Sequence, residues 1–114
     1  MLYRILFVYF LSINFQVYAK VDTLFVKSSA MNRLVPNLII QPNSAHDEPL
    51  PVIYLLHGAG GNFSNWKYRA PFIEDLAEEL RVLIVCPDGG KQGWYLDSPV
   101  LPESQYETFM VSEL

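Results

Sequence analysis

The sequence predicts an α/β fold, an antiparallel hairpin followed by a βαβ unit of a mostly parallel sheet. Three observations predict it. Two β-branched segments, residues 21–27 and 34–41, flank a polar turn at residues 28–33. A continuous apolar run, residues 51–56, precedes an amphipathic stretch at 72–80. A second apolar run, residues 81–86, follows that stretch directly. Apolar strands separated by a helical pattern imply a crossover, which makes the two strands parallel.

Each element has its own signal. Fifteen of the first 19 residues are apolar and Arg4 is their one charge. The run from Ile5 to Phe10 is unbroken, and Val17-Tyr18-Ala19 ends on a small residue. This is the pattern of a secretory signal peptide, residues 1–19, cleaved before Lys20. Ser12, Asn14 and Gln16 interrupt the run, so a membrane anchor fits less well. The expected location is secreted or periplasmic, with no stable membrane span after cleavage.

Residues 21–27 alternate, with Val21, Thr23 and Phe25 opposite Asp22, Leu24 and Val26. Residues 34–41 form the second strand. Pro36 lies inside it and cannot donate to a ladder, which predicts an edge strand or a bulge. Residues 42–49 are a polar, proline-bounded loop. The run Pro51-Val52-Ile53-Tyr54-Leu55-Leu56 predicts a strand buried on both faces. Phe72, Ile73, Leu76, Ala77 and Leu80 recur at helical spacing, and Pro71 suits the first turn. Glu74, Asp75, Glu78 and Glu79 lie on the opposite face and read as a solvated surface rather than a calcium site. Residues 81–86 form a second buried strand closed by Pro87. Residues 89–102 are a loop containing Trp94 and Tyr95. Residues 105–114 start a helix, with Tyr106, Phe109 and Met110 on one side.

The chain has 114 residues and a net charge of -4. Beyond the first 19 residues, seven basic and twelve acidic side chains give -5. That balance argues against nucleic acid or an anionic membrane surface as partner. The single cysteine, Cys86, excludes an intrachain disulfide and a cysteine-cluster zinc site. Neither a cofactor nor a metal is expected. Two parallel strands and a hairpin, with one complete helix to cover them, make an unbalanced α/β domain. Residues 20–114 are therefore expected to be an incomplete domain.

The chemistry is expected where the strand at 51–56 runs into His57-Gly58-Ala59-Gly60-Gly61-Asn62. Ligands bind at the carboxyl end of strands in open α/β sheets. Glycines let the backbone approach a reacting group without a Cβ clash. Backbone N–H groups there can stabilise the oxyanion of acyl transfer. A tight strand-to-helix turn without a catalytic role fits the same residues. A phosphate cradle does not, because neither G-x-x-x-x-G-K-[ST] nor G-x-G-x-x-G is present.

The order of Leu55 to Asn62, Trp66, the helix at 72–80, the strand at 82–88, Trp94-Tyr95 and the segment 106–114 resembles the esterase D-like "putative esterase" family of α/β-hydrolases. That family includes tributyrin and feruloyl esterases, S-formylglutathione hydrolase and the mycolyltransferases. The resemblance implies the N-terminal part of an α/β-hydrolase fold. It implies that Ala59 donates a backbone N–H to the oxyanion hole, with Gly58 and Gly60 shaping the turn. His57 would then be a supporting, structural residue. Trp94 and Tyr95 would border the active-site mouth or pack the loop. The implied function is a secreted serine carboxylic-ester hydrolase acting through an acyl-enzyme. Its substrates would be small-molecule or carbohydrate esters with short-chain, aryl or polysaccharide-linked acyl groups. A thioesterase of S-formylglutathione hydrolase type, a mycolyltransferase-like acyltransferase, and a non-catalytic truncated or carbohydrate-binding remnant are the alternatives.

One departure from the family pattern is severe. The nucleophile of this fold sits in a G-x-S-x-G elbow, and the triad runs Ser, then Asp or Glu, then His. None of Ser28, Ser29, Ser44, Ser64, Ser98, Ser104 or Ser112 is flanked by such glycines. The two histidines, His46 and His57, are both in the first half of the chain. Cys86 lies in an apolar strand, where a thiol is inert, and Asp88 reads as a turn former. Nucleophile, acid and base are thus expected outside residues 1–114, and the chain alone is expected to be inactive.

Overall fold

The structure is a computed structural model that describes residues 17–44 and 48–114. The expected signal peptide falls mostly on residues 1–16, outside the described residues, as does His46. Within its last three positions, Val17 and Tyr18 are exposed, whereas Ala19 packs into the core beside Val21.

Four strands form one sheet: β1 (Lys20–Ser28), β2 (Arg33–Gln41), β3 (Val52–Tyr54) and β4 (Leu83–Pro87), in the order β1-β2-β4-β3. β1 and β2 form the expected antiparallel hairpin, paired from Lys20↔Gln41 to Ser28↔Arg33. β3 and β4 are parallel, as the crossover requires. β2 also pairs with β4, antiparallel, over Asn37↔Pro87 to Ile40↔Ile84. The sheet is therefore mixed.

The hairpin buries opposite faces at its two ends. Val21, Leu38 and Ile40 join one core with Ile73, Ala77, Ile84 and Cys86. Val26 and Val35, whose side chains emerge on the other face, join a second core with Met31, Tyr106 and Phe109. The alternation expected for residues 21–27 consequently holds only at its start: Phe25 is exposed and Val26 is half-buried.

Helix α1 (Asn65–Arg69) and helix α2 (Ile73–Leu80) occupy the crossover. α1 was not legible as a separate helix, since its residues contribute nothing fully buried. α2 inserts Ile73 and Ala77 into the first core, while Phe72, Leu76 and Leu80 stay exposed. Pro71 stands before Phe72, the N-cap, so it precedes the helix rather than occupying its first turn. Glu78 is more than solvated surface, because its carboxylate accepts the N–H groups of Asn43 and Ser44 at 2.7 and 2.9 Å. The C-terminal segment is α3 (Tyr106–Thr108), continued by a π-helical turn over Phe109–Glu113.

Two further expectations, both about edge position, are corrected. β2 is an interior strand and carries no bulge. Pro36 is tolerated because the β2–β4 ladder stops at Asn37. The Pro36 carbonyl instead accepts the N–H of Asp88 at 3.2 Å. In an antiparallel strand N–H and C=O of one residue point the same way, so the missing donor faces Asp88, one residue past the end of β4, and removes no bond from within the ladder. β3 is the second departure. It is the terminal strand, and Val52, Ile53 and Tyr54 are 46%, 40% and 48% exposed. Its apolar run is suited to a buried strand, but among the described residues neither a further strand nor a helix covers it. β4, between β2 and β3, meets the expectation, with Ile84, Val85 and Cys86 buried.

Candidate active site

The last main-chain bond between β3 and β4 runs from the Leu55 N–H to the Val85 carbonyl at 2.9 Å. His57 follows, buried, at the carboxyl end of the sheet. The chain then turns: the Gly61 N–H donates to the Gly58 carbonyl at 3.0 Å. Gly60 has φ +73, a left-handed conformation that costs a side-chain-bearing residue about 1–2 kcal/mol. Its N–H donates to the Lys91 carbonyl at 2.8 Å. Among the described residues, the N–H of Ala59 meets no acceptor. Ala59 lines a cavity of about 130 Å³ with His57, Gly58, Lys91, Trp94 and Tyr95.

Both His57 ring nitrogens are engaged with main chain. Nε2 accepts the Gly89 N–H at 2.9 Å, and Nδ1 lies 2.9 Å from the Gly58 carbonyl. An Nε2 that accepts must be unprotonated, so the proton resides on Nδ1 and the ring is neutral. A histidine bonded in this way has no free lone pair with which to act as general base. The Asp88 carboxylate is 4.0 Å from Nε2, and it accepts the Gly90 N–H at 2.7 Å, closing a local turn.

Trp94 and Tyr95 are brought to this turn from 37 and 38 positions along the chain. Both are left-handed, with φ of 50 and 55. Consecutive left-handed residues without glycine persist only where surrounding contacts hold them. The Tyr95 ring packs against Gly89, where a Cβ would lie 2.3 Å from it. The Tyr95 hydroxyl accepts the His57 N–H at 2.9 Å, and burial pushes its pKa up to about 12. It therefore remains a phenol at neutral pH. Trp94 is 74% exposed at the cavity mouth. Trp66 does not line the cavity; its indole N–H donates to the Leu56 carbonyl at 3.0 Å, two residues before the turn's glycine.

The structure thus gathers His57, Gly58, Ala59, Trp94 and Tyr95 around one cavity. Gly60 lies on its far side, facing a second cavity of about 420 Å³ with Arg33, Asp88, Lys91 and Tyr106. The Arg33 guanidinium lies 5.4 Å over the Tyr106 ring and bonds its hydroxyl. Sequence reasoning missed the loop 88–92 as a wall of the site. Its signal was Asp88-Gly89-Gly90, a turn directly after a strand.

No described serine hydroxyl bonds a histidine. Ser28 bonds Glu113, Ser64 bonds Asn62, and the Ser98 hydroxyl accepts the N–H groups of Val100 and Leu101. Cys86 is fully buried, and burial pushes its thiol up to about 11. Among the described residues, no group of three or more His, Cys, Asp or Glu could hold a metal ion. No described helix is long and apolar enough to cross a membrane.

The sequence model of the family described as "Putative esterase" matches residues 28–114. A Mycobacterium tuberculosis protein, Esterase Rv1288, is 36% identical over 66 residues, which cover 56% of this chain and 14% of that protein. A solved ferulic acid esterase superimposes with a TM-score of 0.70 at 26% identity, covering 86% of this chain and 42% of that one. An S-formylglutathione hydrolase from Agrobacterium tumefaciens gives a TM-score of 0.72 at 21% identity, covering 87% of this chain and 43% of that one. At that identity the second likeness speaks for the fold alone. The chain spans about two fifths of these structural relatives, and the fold is the N-terminal part of an α/β-hydrolase.

Proposed function

The chain belongs to the "Putative esterase" family, and from that membership we propose that it supplies the oxyanion turn of a secreted serine carboxylic-ester hydrolase. One observation carries the reading. The Ala59 N–H, at the carboxyl end of β3, lacks an acceptor among the described residues and borders a cavity. A donor held in that way has no internal bond to break when charge develops on a carbonyl oxygen.

In this mechanism a base-activated serine attacks the ester carbonyl and forms a tetrahedral intermediate. The negative oxygen accepts the Ala59 N–H. Collapse expels the alcohol, and water then releases the acyl-enzyme. The serine, its base and its acid are assigned to no residue of this chain, so residues 20–114 alone are inactive. The aromatic residues at the cavity mouth favour short-chain or aryl acyl groups, and a carbohydrate alcohol is the accompanying proposal. The hydrolase is exported, on the strength of the apolar segment that ends at Ala19.

Hydrolysis of p-nitrophenyl acetate tests the reading. The complete gene product is expected to turn over and to lose activity with fluorophosphonate, whereas residues 20–114 show no rate above a serine-free control. Ala59→Pro, which removes the N–H, lowers kcat of the complete product by about 100- to 1000-fold. A folded Ala59→Pro variant with unchanged kcat would remove Ala59 from the oxyanion hole.

A further inference from the structure

We propose that Tyr95 is a positioning residue for the oxyanion turn, its hydroxyl standing in for the strand partner that the main chain of His57 lacks. The proposal rests on the reading of Ala59 as an oxyanion donor.

The β3–β4 ladder ends before His57. Its last main-chain bond is from Leu55 to Val85, two residues short of His57. Further along β4 stands Pro87, whose missing N–H leaves the Leu55 carbonyl without its next ladder bond and ends the ladder there. His57 is nonetheless buried, so an unpaired N–H or carbonyl there would carry a desolvation cost. The Tyr95 hydroxyl meets both groups. It accepts the His57 N–H at 2.9 Å and donates to the His57 carbonyl at 3.4 Å. A phenol is suited to this, since one oxygen both accepts and donates.

Two contacts place the hydroxyl. The left-handed backbone at Trp94 and Tyr95 directs the ring inward, and the ring rests on Gly89. Gly89 also donates its N–H to the His57 ring. His57 is thereby held by its main chain from Tyr95 and by its side chain from Gly89. The turn that carries Ala59 is anchored at two ends, at His57 by Tyr95 and at Gly60 by the Lys91 carbonyl. Gly58 and Ala59 between them are exposed, so their orientation is inherited from those anchors.

Tyr95→Phe is the test, because it keeps the ring on Gly89 and removes only the hydroxyl. Amide hydrogen exchange and steady-state kinetics are read on the complete gene product. Exchange at His57 is expected to accelerate about fivefold to tenfold, the equivalent of one lost hydrogen bond. Exchange at Ile84 and Val85 in β4 stays at the parent rate. kcat falls about tenfold with KM unchanged, as for a group that acts only in the transition state. Unchanged exchange at His57, or equal acceleration throughout β4, overturns the proposal. So does unchanged kcat in Tyr95→Phe while Ala59→Pro lowers it. Unchanged kcat in both variants overturns the oxyanion reading instead, and the exchange result then judges Tyr95 on its own.

Discussion

Gly89 donates its main-chain N–H to Nε2 of His57 at 2.9 Å, joining the turn that leaves β3 to the turn that leaves β4. The two residues are 32 positions apart. Each turn follows one of two adjacent parallel strands, so this bond ties together the two loops that line the cavity.

Removing that acceptor should be costly. His57→Ala leaves the buried Gly89 N–H without a partner, a loss of about 1–3 kcal/mol. Urea unfolding monitored by tryptophan fluorescence should show a lower midpoint at an unchanged slope. A midpoint equal to the parent's would show that the bond contributes nothing net.

The glycines of the two turns should respond unequally to an added methyl group. At Gly89 a Cβ would sit 2.3 Å from the Tyr95 ring, whereas at Gly58 nothing lies within 4 Å. Gly89→Ala should destabilise by about 1–3 kcal/mol, as overpacking does. Gly58→Ala should stay within about 0.5 kcal/mol of the parent, like other open-surface changes. Thermal unfolding of the two variants side by side decides the matter, and equal losses would count against the packing seen at Gly89.

Trp94→Gly should raise stability while impairing the site. Trp94 holds φ 50 and is 74% exposed, so the substitution relieves strain at little cost in packing. The gain should be about 1 kcal/mol. Calorimetry would show a higher Tm, and the complete gene product would show a raised KM for aryl esters. A lower Tm would mean that the exposed indole makes a stabilising contact.

Glu113 should contribute an acid-sensitive term to stability. Its carboxylate accepts the Ser28 hydroxyl at 2.5 Å and the N–H groups of Ser29 and Ala30 at 2.8 and 3.0 Å. These bonds, the Ser28 hydroxyl first, hold its pKa below the ordinary 4.5. A depressed folded-state pKa gives stability that is complete above the unfolded value and lost as pH falls through the folded one. Below pH 4.5 the parent should therefore lose stability more steeply than Glu113→Gln. Parallel curves from pH 6 to pH 2.5 would exclude Glu113 as a source of that slope.

Local chemistry was the legible part. The hairpin, the crossover helix and the glycine turn each rest on periodicity or on residue types that only a few conformations accept. His57, Ala59, Trp94 and Tyr95 could all be singled out as residues, and the structure brings them to one cavity. Their contacts could not, because no pattern states that a tyrosine at 95 reaches the main chain at 57. Nor does Trp94-Tyr95 advertise a left-handed backbone, since neither residue is glycine or asparagine. Pro36 and the run at 51–56 misled for one reason: strand chemistry describes a strand, whereas edge or interior position is a property of its neighbours.

The sequence by itself determined the class of fold, the parallel sense of the βαβ unit, and the placement of a flexible, glycine-rich turn at a strand's carboxyl end. These follow from hydrophobic period and backbone sterics, which act over a few residues. Only the tertiary structure decided the strand order β1-β2-β4-β3, the exposure of β3 and the clamp of Tyr95 and Gly89 on His57. Those depend on which distant groups can satisfy one another's hydrogen bonds when buried together, a condition that exists only once the chain has closed on itself.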